Sequence, residues 1–139
     1  MPEIRRQVTR DVVTLDASAP LTEAARLMEE RHIGSVVVRD GAAIVGLVTD
    51  RDLMRTVCVL GSDPASPIRD ALRREIPRVG PSTTETEVAS VMREHGTRHL
   101  LVEDRGEVMG IISMRDIIQL MMDDKEHLIG QLHSYIEGR

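Results

Sequence analysis

The feature that most constrains this chain is that it nearly repeats itself. Residues 4–56 laid on residues 68–120, without a gap, give 14 identities in 53 positions. Unrelated chains of ordinary composition match at roughly 6% of positions, so the agreement is far beyond chance. Ile4-Arg5 returns as Ile68-Arg69, Thr22-Glu23 as Thr86-Glu87, Met28 as Met92, Gly46 as Gly110, and Arg51-Asp52 as Arg115-Asp116. Many other pairs are conservative, among them Leu47/Ile111, Val48/Ile112 and Thr49/Ser113. A fold built twice from copies of about 55 residues faces a surface problem, because so small a unit buries too little apolar area alone. The expectation is two copies packed face to face as one body.

Each copy reads in the same order. A short apolar strand over 12–15 precedes Ser18-Ala19-Pro20, a turn and helix-start signal. Leu21, Ala24, Ala25 and Met28 recur at i, i+3, i+4 and i+7, which predicts an amphipathic helix to about His32. A β-branched strand over 35–38, the turn Arg39-Asp40-Gly41 and a strand over 44–48 make a hairpin. Gly46, in mid-strand, marks a place where another backbone comes close. A second helix runs over 50–59. The second copy predicts a strand near Val79, a helix over 85–95, strands over 99–103 and 108–112, and a helix over 114–122. The fold class is therefore α+β, a tandem β-α-β-β-α unit. Residues 1–60 form the first copy, 61–67 a Pro- and Gly-bearing linker, 68–122 the second copy, and 123–139 a helical tail.

In that tail Leu128, Leu132 and Ile136 recur at i, i+4 and i+8, with Ile129 and Tyr135 widening the stripe. The pattern predicts a helix, either separate from the one that starts at Met114 or continuous with it. Its apolar face has two equally fitting destinations, its own domain or a second subunit. Met114, Met121 and Met122 read as adaptable fillers of a core or an interface.

Composition removes several function classes. The net charge is −5 and the chain has no Trp or Phe, with Tyr135 its only aromatic. A general basic field and base-stacking platforms are thus missing, so no nucleic-acid partner is expected, although Arg5, Arg6 and Arg10 are locally basic. No apolar run approaches the roughly 20 residues of a membrane span, and the start has no secretory hydrophobic stretch. Cys58 is the single cysteine, which precludes an intrachain disulfide. A cytoplasmic location is expected. His95 and His99 straddle a helix end and a strand start, and His127 and His133 fall on different helix faces, so neither pair reads as a metal site. There is no Gly-rich phosphate loop and no nucleophile elbow, and catalysis is not expected.

One short motif, present twice, carries the chemistry. Thr49-Asp50-Arg51-Asp52 and Ser113-Met114-Arg115-Asp116 each end a strand and open a helix. Orphan N–H groups and the positive dipole end suit a phosphate there, and the hydroxyl of Thr49 or Ser113 adds a further hydrogen bond. A carboxylate three residues on can accept bonds from both hydroxyls of a ribose. The same pattern is also a capping box, whose whole purpose is to start a helix.

Gly46-Leu47-Val48-Thr49-Asp50-Arg51-Asp52-Leu53 and Gly110-Ile111-Ile112-Ser113-Met114-Arg115-Asp116-Ile117 resemble the signature of the cystathionine-β-synthase (CBS) domain family, in its tandem or Bateman form. The upstream segments Ile33–Val38 and Thr97–Val102 fit the same family, and the resemblance covers residues 4–122. It implies a pseudo-twofold module that binds adenine nucleotides (AMP, ADP or ATP) in clefts between the copies, with no required cofactor. It gives ribose recognition to Asp52 and Asp116 and phosphate-side contacts to Thr49 and Ser113. Arg98 and His99 stand where the first copy has Gly34-Ser35, and by resemblance this pair faces phosphates, so the Ser113–Asp116 site is the better equipped. The resemblance also places Val13 and Thr14 at that site, and Arg78 and Val79 at the other. Arg51 and Arg115 lie inside the motif, with solvated surface arginine as the plainer reading. The resemblance further implies a homodimer and an output passed to a separate effector protein. Two other functions remain open: a scaffold with empty clefts, and a sensor of an S-adenosyl ligand, for which Arg98 would be unhelpful.

Overall fold

The computed structural model describes residues 3–6, 8 and 12–136. These divide into two compact units, one comprising residues 12–76 and the other joining residues 3–6 and 8 to residues 77–136. The repeats of sequence and the packed units thus have different boundaries, and the short lead-ins explain why. Ile68–Ala71, the 3-10 turn that opens the second repeat, packs in the first unit, where Ile68 is fully buried with Leu21, Met28, Val36 and Val48. Ile4–Arg6, the matching turn that opens the first repeat, belongs to the second unit. There Ile4 is fully buried with Met92, Leu100, Ile112 and Ile117. Each core is completed by the lead-in of the other repeat.

The first unit contains β1 (Thr14–Asp16), α1 (Leu21–Arg31), β2 (Ser35–Asp40), β3 (Ala43–Thr49) and α2 (Asp50–Met54), which continues as a π-helical turn over Arg55–Val59. The second contains β4 (Arg78–Val79), α3 (Glu85–His95), β5 (His99–Asp104), β6 (Glu107–Ser113) and α4 (Met114–Ile136). Each sheet has three strands, in the orders β1-β2-β3 and β4-β5-β6, the first pair parallel and the second antiparallel. The hairpins share even their irregularity, a register shift at Val38/Arg39 and at Val102/Glu103. The α+β reading and its element order are those of the structure. The last helix is continuous with the tail, so no break falls at residue 122.

Alternation is absent from the central strands because both faces are covered: Val36, Val37 and Val38 are all fully buried, as are Leu100 and Val102. Gly46 meets the close approach its position predicts. The Leu47 N–H donates to the Arg73 carbonyl and the Arg73 N–H to the Leu47 carbonyl, both at 2.9 Å. A Cβ on Gly46 would lie 2.3 Å from the Arg73 carbonyl oxygen, so only glycine admits this extra backbone pairing.

Candidate functional site

Both motif aspartates sit where a strand turns directly into a helix. β3 ends on Thr49 and α2 begins at Asp50; β6 ends on Ser113 and α4 begins at Met114. Register sets the mouth of each hairpin, pairing Ser35 with Thr49 and His99 with Ser113. The residue before each partner strand ties down the helix start, because the Gly34 carbonyl accepts from Asp50 N–H at 3.0 Å and the Arg98 carbonyl from Met114 N–H at 2.8 Å.

The capping box is complete in both. Asp52 Oδ2 accepts from the Thr49 N–H and hydroxyl, both at 2.9 Å, while the Asp52 N–H donates to Thr49 Oγ1 at 3.1 Å. Asp116 Oδ2 accepts from the Ser113 N–H at 2.8 Å and hydroxyl at 2.9 Å, and the Asp116 N–H donates back to Ser113 Oγ at 3.3 Å. One carboxylate oxygen of each aspartate is therefore occupied in starting its own helix.

The second oxygen separates the two sites. Asp52 Oδ1 lies 3.2 Å from Arg73 Nη2 and 3.8 Å from Arg55 Nη2, in a side chain only 1% exposed. Asp116 is half-buried, and among the described residues its Oδ1 forms no ion pair. The reason is in the sequence: the positions equivalent to Arg73 and Arg55 hold Thr9 and Gln119, and Gln119 donates to Asp123 instead. Arg73 and Arg55 are the residues that motif reasoning missed. The available signal was Gly46, which announces a close backbone without naming Arg73 as its owner.

The other candidates take the following places. Thr49 is buried and Ser113 half-buried. Arg98 is exposed at the mouth of the β5–β6 hairpin; His99 is buried beside it, its N–H donating to Thr97 Oγ1 and its carbonyl accepting from the Thr97 hydroxyl. Arg51 and Arg115 are both exposed. Thr14 opens β1 opposite Val37, and Val79 lies in β4 opposite Val102, each half-buried in its own unit. Arg78 pairs with Glu103 across β4 and β5 at 2.6 Å. Among the described residues no group of three His, Cys, Asp or Glu side chains is placed to hold a metal, and no helix is long and apolar enough to cross a membrane.

This duplicated arrangement meets its match in the CBS domain model, which fits residues 3–58 and again residues 68–123. The chain belongs to the CBS-domain family. A CBS domain-containing protein of Bacillus subtilis, YhcV, is 24% identical over 125 residues, covering 90% of this chain and 89% of the relative. A CBS-domain protein of Burkholderia ambifaria, proposed to act in signal transduction, has a solved structure that superposes with a TM-score of 0.79 at 34% identity. That match covers 83% of this chain and 85% of the other. A hexameric CBS-CP12 protein from bloom-forming cyanobacteria is also similar, with a TM-score of 0.75 and 26% identity over 85% of this chain and 70% of its own. The chain is thus a tandem CBS protein with a C-terminal helix, in a family whose similar members include a signalling candidate and an oligomer.

Proposed function

We propose that this CBS pair is a cytoplasmic regulatory module, a homodimer that binds an adenine nucleotide and passes the signal to a separate effector protein without converting the ligand. The observation that carries the reading is the state of Asp116. Its Oδ2 is fixed by Ser113, which sets the carboxylate orientation, while Oδ1 has no cation of its own chain among the described residues. A ribose hydroxyl is a fitting donor for that oxygen, the N-terminus of the 23-residue helix α4 favours a phosphate, and exposed Arg98 adds positive charge at the same mouth.

Isothermal titration with AMP, ADP, ATP and S-adenosylmethionine tests it. The expected result is micromolar binding of a phosphorylated nucleotide, weakened at least about tenfold by Asp116→Ala, the cost of a lost charge-assisted bond. Arg98→Ala should weaken ATP and ADP more than adenosine. Silence from all four ligands with folded protein would favour the scaffold reading, which has its own support: both motifs already complete capping boxes with protein partners alone.

A further inference from the structure

Helix α4 outruns its own core. Among the described residues Ile117 and Leu120 are its last buried ones, and every residue over 121–134 is exposed. A distal stretch so exposed gains little from the described residues of its own unit, and isolated helices of this length are marginal in water. Yet the stretch is patterned for burial. Ile118, Lys125 and Leu132 fall seven apart, and Met121 and Leu128, also seven apart, fall between them, which is the a/d spacing of a two-stranded helical seam. Met122 and Ile129 flank that seam on one side.

Four of the five seam residues are apolar, and Ile118, Met121, Leu128 and Leu132 are each 40–55% exposed in the single chain. With the flanking Met122, Ile129 and Ile136, the face offers roughly 700 Å² of apolar surface per copy, close to the ~800 Å² per partner of a standard interface.

We propose that this face is covered by α4 of a second copy, running antiparallel. The proposal rests on the dimer named in the preceding reading and gives it a contact and a direction. Lys125 decides the direction. In a parallel pair, a positions meet each other, and Lys125 would face the partner's Lys125 inside an apolar seam. An antiparallel pair sets a positions against d positions. Met121 then meets the partner's Leu132, and Lys125 lies against the partner's Leu128. One turn from the partner's Leu128 is the partner's Asp124, within reach of the Lys125 ammonium. The twofold axis repeats this ion pair once on its other side, so charge complements shape.

Two measurements on the full chain test this. Sedimentation equilibrium should show a dimer that Leu128→Glu/Leu132→Glu converts to monomer while the far-ultraviolet circular dichroism of the CBS units persists. Spin labels on Ile136→Cys in a Cys58→Ser background should report a separation of about 30 Å, from a rise of about 1.5 Å per residue on helices of opposite direction. A separation of about 10–15 Å would mean parallel helices and overturn the proposal. A dimer that survives Leu128→Glu/Leu132→Glu would also overturn it while leaving the dimer reading intact. A monomeric native chain would sink both.

Discussion

Asp52 and Asp116 occupy the same place in two copies of one unit, yet their second carboxylate oxygens have different surroundings. Asp52 is sealed: one oxygen caps α2, and the other sits against Arg73 and Arg55. Asp116 spends one oxygen on α4 and keeps the other free of ion pairs among the described residues. A carboxylate with two cations of its own chain has little left for a ligand. The lesson is that a duplicated motif fixes a backbone and one set of bonds, while residues outside the motif decide whether the site is structural or open.

The largest effect that would break this contrast is on stability. Asp52→Ala removes a capping partner and strands the partly buried Arg73 guanidinium, and should cost about 2–4 kcal/mol in a denaturant titration. Asp116→Ala removes only the cap contribution, about 0.5–1 kcal/mol. Equal losses would mean that the arginines contribute nothing and that the two sites are alike.

A second contrast lies at the first residue of the long helix in each copy. Leu21 is buried at the start of α1, and its counterpart Glu85 is buried at the start of α3, with its Oε2 unpartnered among the described residues. Burial, helped by the nearby Asp124 charge, raises the Glu85 pKa above its ordinary value of 4.5. A raised carboxylate stabilises the fold below its unfolded pKa and forfeits that contribution as pH rises through the folded value. Glu85→Leu should therefore stabilise the protein by about 1–2 kcal/mol at pH 7, with the gain shrinking as pH falls towards 4.5. Thermal melts at several pH values would show it, and a gain independent of pH would point to packing alone.

The smallest contrast is at the helix C-termini. α1 ends on His32 with φ 53° and α3 on Gly96 with φ 60°, both left-handed. Glycine takes that conformation without a Cβ penalty and histidine does not. His32→Gly should stabilise by up to ~1 kcal/mol, and Gly96→His should destabilise by a similar amount. A null result for both would show that the left-handed cap is unstrained for histidine here.

The duplication made most of the fold legible, because every element could be read twice. Helix α3 spans the 85–95 that the sequence predicts, and the close approach at Gly46 was visible as a glycine in mid-strand. The motif residues of the site were legible too, since capping is local chemistry written within four residues. What stayed hidden was long-range. Nothing local links Arg73 to Asp52 across 21 positions, and the contact exists only because the chain after Ala71 runs back along β3. The exposure of the tail helix was likewise undecided, because an apolar stripe states that a face wants cover without saying which surface supplies it.

The crossing of the lead-ins makes each half of the chain incomplete without the other. Ile4 completes a core made chiefly of the second repeat, and Ile68 completes one made of the first. A single copy of this unit, taken alone, carries an opening isoleucine that in the full chain is buried in the core of the other copy. Severing the chain in the 61–67 linker would part each core from the opening turn that completes it.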